Sequence, residues 1–206
     1  HLFRMSDSTG IFQHASFTVP NFAQGYCTDD NARALVLALM LQKLGHGSPQ
    51  LGAQAATYAA FLNHAFDRPR GRFRNFMSFE RRWLEEVGSE DCHGHALWAL
   101  GLCVSQAGQG SFQMLAAELF ELALPVAAGF TSPRAWAFTL LGIDEYLRRF
   151  GGDRRANQIR ESLTAKLTQR YADAATDEWH WFEEVVSYAN AKLPHAMILS
   201  GRCLHN

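Results

Sequence analysis

Gly25-Tyr26-Cys27-Thr28-Asp29-Asp30-Asn31-Ala32-Arg33-Ala34-Leu35 sets a pattern that the rest of the chain repeats. Thr28 is a good helix N-cap, Asp29 and Asp30 fill the first turn, where the helix dipole favours negative charge, and an apolar helix follows. The same order returns at Ser89-Glu90-Asp91-Cys92-His93-Gly94-His95-Ala96-Leu97. A third copy, Ser187-Tyr188-Ala189-Asn190-Ala191-Lys192, repeats Asn31-Ala32-Arg33 as Asn190-Ala191-Lys192. Ser132-Pro133 supplies a fourth helix start, with proline at the first helical position. Repeated caps crowded with polar groups predict several helices whose N-termini converge on one place.

Working outward, the chain reads as almost all helix, in two alternating kinds. Residues 29–44, 91–104 and 133–150 are apolar on nearly every side, which predicts burial all round. Residues 50–66, 111–127 and 153–171 are amphipathic and predict one face in solvent; Ile159, Leu163, Leu167 and Tyr171 form one such stripe. A last apolar helix spans roughly residues 190–204. Helix-pair units recurring every roughly 40–60 residues point to a ring or solenoid. The sharp difference between inner apolar and outer amphipathic helices favours an α/α toroid. Two aromatic-rich inserts, Arg72–Trp83 and Glu178–Val186, precede inner helices and are expected to be extended segments or short hairpins walling a cleft.

The 206 residues are 48% hydrophobic, enough for a single domain over 1–206 with a large core. A formal net charge of −1 gives no electrostatic case for nucleic acid or an anionic membrane surface. The apolar runs are interrupted too often to predict a membrane span, and His1-Leu2-Phe3-Arg4 does not read as a signal peptide. Cys27, Cys92, Cys103 and Cys203 lack CxxC spacing and are expected to be free thiols, which favours the cytoplasm. Four inner-type helices against three outer ones, and no initiator methionine, suggest a ring fragment truncated at its C-terminus.

Carboxylates gathered at one end of a ring suit glycoside chemistry, in which one carboxyl is protonated and one ionised. Asp30 and Asp91 are the candidate acid/base pair. Asp29, Asn31, Arg33, Glu90, His93, Glu183 and Asn190 are candidate hydroxyl-binding groups. Tyr26, Trp83 and Trp181 are candidate platforms for sugar faces. Helix capping accounts equally for any single acid. Cys92-His93-Gly94-His95 resembles a metal cluster in spelling, but residues two apart on a helix diverge, so no metal or other cofactor is expected. Isoprenoid chemistry is a third reading, since helical toroids also host it and Asp29-Asp30 hints at a metal-pyrophosphate motif, but Arg33 stands where such a motif wants a further acid.

Four blocks carry a resemblance to a family. They are His1-Leu2, Asp7, Thr9-Gly10-Ile11 and Gln13-His14-Ala15; Gly25 to Leu35; Ser89-Glu90-Asp91 with Ala96-Leu97-Trp98-Ala99-Leu100-Gly101; and Trp181-Phe182-Glu183, Tyr188-Ala189-Asn190-Ala191 and Leu193-Pro194. With these the chain resembles six-hairpin-glycosidase-like α/α-toroid domains from bacterial polysaccharide and glycosyltransferase loci. The resemblance implies a carbohydrate-active domain with a saccharide ligand, in some members fused to a glycosyltransferase domain of the same protein. It implies equally a non-catalytic glycan-binding or scaffold domain beside that transferase. Family members run longer than this chain.

Overall fold

The computed structural model describes residues 1–106 and 110–204. It is predominantly helical, with 60% helix against 8% strand, so the fold is all-α. Seven helices carry it: α1 (Thr28–Lys43), α2 (Pro49–Ala65), α3 (Glu90–Ser105), α4 (Gly110–Ala123), α5 (Pro133–Leu147), α6 (Arg154–Ala174) and α7 (Lys192–Leu204). Each lies within a few residues of its sequence prediction, except that the fourth ends early and passes into a 3-10 turn at Leu124–Gly129. Pro125 removes an amide there, which the α-helical ladder would need.

α3 packs between α1 and α5, and α5 packs in turn against α7, while α2, α4 and α6 lie against α1, α3 and α5 respectively. Two glycines set the closest of these contacts. A Cβ at Gly101 would stand 2.1 Å from the Gly142 carbonyl oxygen, and one at Gly142 would stand 2.5 Å from the Leu97 carbonyl oxygen. Gly94 meets Ala135 and Phe138 about two turns before Gly101. Contacts that advance together along both helices mean that α3 and α5 run parallel, with their N-termini at the same end.

α3 and α5 are buried nearly all round, as predicted. α1 and α7 are not. Leu37, Met40 and Leu44 form an exposed stripe on α1, and Ile198 is exposed on α7. These helices are apolar on a face that no described element covers. Of the amphipathic set, α6 buries Ala156, Ile159, Leu163, Thr164 and Leu167 and gives its other faces to solvent. Residues Phe112–Gly129 reach a mean hydropathy of 1.3, enough by length and composition to cross a bilayer, which sequence reading had not anticipated. Here that stretch places Leu119, Phe120 and Ala123 in the core.

The short strands are local. β1 (Ala15–Ser16) pairs with β2 (Val19–Pro20), β3 (Tyr26–Cys27) with β6 (Phe76–Met77), and β4 (Phe66–Asp67) with β5 (Arg72–Phe73), all antiparallel. The first aromatic insert is thus extended; it pairs with its surroundings and also with itself, through an antiparallel bridge between Met77 and Trp83. The second, Glu178–Val186, forms bends without a strand.

Gly101→Ala should cost about 1–3 kcal/mol or more by forcing α3 off α5. Gly52→Ala, where a Cβ meets only the end of Gln42 at 3.8 Å, should be neutral or stabilise by about 0.5–1 kcal/mol. Urea unfolding of both variants checks the contrast.

Candidate functional site

The parallel helices bring their first turns together, and each first turn is tied to the connection that leads into the next helix. On α1, Thr28 Oγ1 donates to the Arg74 carbonyl at 2.6 Å, while Asn75 Oδ1 accepts the amides of Thr28 (3.1 Å) and Asp29 (3.3 Å). Thr28 is therefore not the N-cap that its type suggests. Cys27 occupies that position without a side-chain cap bond, and Asn75 caps the helix from another segment. On α3, Ser89 caps as predicted. Glu90 accepts the amides of Thr131 and Ser132 at 2.8 and 2.7 Å, and Ser132 Oγ donates to Asp91 at 2.6 Å. On α5, the buried Arg134 makes a two-pronged ion pair with Glu183, 2.7 Å at each contact. It also bonds Ser187 and the Tyr188 carbonyl, and stacks on the Tyr188 ring.

Glu90 and Glu183, expected to bind a ligand, thus hold backbone and guanidinium groups of the protein itself. Three further expected ligand groups are buried and engaged. Tyr26 is 1% exposed, stacks on Phe12, and donates its hydroxyl to Asp7 at 2.7 Å. Burial, and then the Asp7 carboxylate, push that phenol up to about 12. Asn31, fully buried, accepts the Ile11 amide and donates to the Cys27 carbonyl. A Cβ at Gly10 would stand 2.3 Å from Asn31 Oδ1, so the Thr9-Gly10-Ile11 turn is shaped around that side chain. His93 is also fully buried; Nε2 donates to the Ala123 carbonyl at 3.0 Å and Nδ1 accepts the Phe73 amide. None of these three has a surface left for a sugar.

What remains at the shared end is compact. Asp29 and Asp30 are partly buried, and the Cys27 thiol contacts both, at 2.8 Å and 2.7 Å. Burial raises the Asp30 carboxyl, against the lowering pull of Cys27 and Arg33, with which it forms an ion pair. Burial also raises Asp91, opposed by its Ser132 bond and by Arg134. Asp29 acts electrostatically on both Asp91 and His95, so the acids of α1 and α3 share one field. Burial drives the Cys27 thiol far above its usual range, so it is no nucleophile. Cys27, Asp29 and Asp30 offer ligand atoms within 4.8 Å of one another, but Arg33 already supplies a cation there. All four cysteines are free thiols.

Two residues that sequence reasoning left out as ligand groups belong to this end. His95, 6% exposed, sits close over Phe138, its ring centroid 3.8 Å away, and its Nδ1 lies 3.0 Å from the Asp91 carbonyl. A carbonyl only accepts, so Nδ1 carries the proton and Nε2 presents a lone pair. Burial lowers the ring to about 4, keeping it neutral. Lys192 stands with Nζ 4.3 Å from the Trp98 ring centroid. The repeat of Arg33 as Lys192 was the available signal for the second; nothing in the spelling separates His95 from His93. Asn190 precedes α7 half-buried, its carbonyl accepting the Leu193 amide.

The aromatic platforms are also redistributed. Trp83 is partly buried against Phe61 and His64, with Arg74 over its ring, and Trp181 lies edge-on to Phe182. Exposed rings include Phe17, the stacked pair Phe22–Phe79, Trp179 and Tyr188. No family model matches the chain, and no curated protein or solved structure shows significant similarity to it.

Two predictions follow from the buried groups. His93 and His95 titrate at about 3 and about 4 when folded, against about 6.5 when unfolded. The unfolded chain therefore binds protons that the folded one refuses. Stability should fall as pH drops below about 6.5, by up to about 1.4 kcal/mol per pH unit for each histidine. Asp30 and Asp91, being raised, contribute with the opposite sign. His93→Gln should flatten the slope of unfolding free energy between pH 6.5 and 5. Separately, Arg134→Met should cost about 3–5 kcal/mol by stranding Glu183 and should speed proteolysis within residues 175–191. Arg134→Met/Glu183→Leu should recover most of that loss.

Proposed function

We propose that this chain is part of an α/α toroid of the six-hairpin-glycosidase-like kind, and that it binds or processes a saccharide where the inner helices begin. The row α1, α3, α5, α7 with α2, α4 and α6 behind it supports a partial ring. The reading rests chiefly on one observation: Asp30 and Asp91 are both half-buried at adjoining helix starts, and burial raises both carboxyls despite a nearby guanidinium on each side. A carboxyl held up by its surroundings can donate a proton to a glycosidic oxygen, and a second one can act as base or nucleophile. Asp30 and Asp91 are the proposed acid/base or orienting pair. Asp29 and Arg33 contact the ligand beside them, and Asn190 lies at the edge. Trp83 and Trp181 line the flanking inserts. No cofactor enters the proposed chemistry. The setting we propose is the cytoplasm of a bacterium making polysaccharide, with a glycosyltransferase domain of the same parent protein as partner.

Asp30→Asn and Asp91→Asn should each reduce release of reducing ends from bacterial polysaccharides by at least about a hundredfold. Melting should change little, because neutralising a desolvated carboxylate costs the fold little. Unchanged turnover with a sharp loss of stability would reduce both acids to helix caps. A non-catalytic glycan-binding domain is the second reading. It is favoured by the engagement of Glu90 and Glu183 inside the protein, which leaves few free carboxyls. Glycan-array binding without release of reducing ends would select it.

A further inference from the structure

We infer that the saccharide carries an anionic group, a carboxylate or a phosphate, seated against Lys192; this rests on the saccharide reading above. From Trp98 toward the C-terminal ends of α1, α3 and α5, away from the acids, runs a groove of about 380 Å³ lined by all four of α1, α3, α5 and α7, with Met40, Leu102, Leu141, His195 and Leu199 also among its walls. Its volume falls within the ordinary range of small-molecule sites. Lys192 stands over Trp98, at the edge of that groove.

Two cations of this face have no ion-pair partner among the described residues: Lys43, which borders the groove and is exposed, and Lys192, which is partly buried. Arg33 pairs with Asp30, Arg134 with Glu183, and Arg148 with Asp144 and Glu145. Among the described residues no carboxylate stands within ion-pair distance of Lys192. Its ammonium is partly buried, and desolvation alone lowers it. Its nearest titrating neighbours, His95 and His195, are themselves pushed toward the neutral form, in part by Lys192. A half-desolvated cation on an aromatic face, with no counter-ion, is a place where an incoming anion gains a charge-assisted bond at little further desolvation cost.

His95 gives the arrangement direction. It feels Asp29 on one side and Lys192 on the other. The residue is buried, and among the described residues its unprotonated Nε2 has no hydrogen-bond partner. A sugar whose anionic group meets Lys192 would donate a hydroxyl to Nε2 and turn its remaining hydroxyls toward Asp29, Asp30 and Asp91. The reverse orientation would set the anion against three acids. Lys192 and His95 are thus specificity-determining groups, one for charge and one for direction.

Calorimetric titration with D-glucose, D-glucuronate and glucose 1-phosphate tests this in the wild-type chain, in Lys192→Met, which keeps the stem over Trp98, and in Lys192→Arg. At least one of the two anionic sugars should bind at least about tenfold more tightly than glucose. That preference should vanish in Lys192→Met, return in Lys192→Arg and weaken with salt. Preference for glucuronate alone assigns a carboxylate, and for glucose 1-phosphate alone a phosphate. Equal binding of all three sugars, or a preference unchanged in Lys192→Met, overturns the anionic inference and leaves the saccharide reading intact. Failure of all three to bind, with no glycan retained on an array, overturns both.

Discussion

The structure depends on lateral ties between the first turn of one buried helix and the strand of chain that enters the next. Asn75 caps α1, Glu90 and Asp91 hold the turn before α5, and Arg134 grips the segment before α7. Each tie satisfies groups that a helix start or a connecting loop would otherwise leave bare. Unsatisfied amides in a buried connection cost about 1–3 kcal/mol each. Because α3 and α5 are already locked in parallel by the Gly101–Gly142 approach, the ties also align the helix ends. One set of polar residues therefore both closes the backbone and lines the shared end, and so capping and the proposed site are entangled there.

That entanglement explains what the sequence could reveal. Helix positions and the caps at Ser89 and Ser132 were legible, because periodicity and capping are local. Thr28 was misread because its helix is capped by Asn75, 47 residues away, and no local rule reports a cap from elsewhere. Tyr26, Asn31 and His93 were misread for a related reason. Their polar atoms look available in a string of letters, yet Asp7, Ile11 and Ala123 consume them in three dimensions. The N-terminal block His1 to Ala15 makes sense only here. Asp7 holds Tyr26, and Gly10 makes room for Asn31, so the block braces the turn that launches α1. The repeat itself was the better guide: aligning Asn190-Ala191-Lys192 with Asn31-Ala32-Arg33 marks Lys192, although Arg33 is ion-paired and Lys192 is not.

The two histidines at one helix start show how finely burial divides roles. His93 and His95 sit two residues apart on α3 and so point about 200° apart around the helix. One turns into the packing with α4 and the β4–β5 strands, where both of its nitrogens are used. The other turns toward α5 and the shared helix ends, where one nitrogen is used and one is not. Both are neutral for the same reason, desolvation, but only the second has a lone pair to offer.

The balance of forces at the acids points the same way. The helix dipole, Arg33 and the Cys27 thiol all favour ionised Asp30; Ser132 and Arg134 favour ionised Asp91. Desolvation outweighs them at both sites. A cap left in water feels no such penalty, and a purely structural acid would be expected to end ionised and lowered, as Asp67 does between Arg70 and Arg74. What differs is the number of donors: Asp67 accepts from two guanidinium groups and an amide, whereas Asp91 has a single hydroxyl and Asp30 one guanidinium and a thiol. The fold supplies enough donors to fix the structural acid and too few to quiet the two at the shared end.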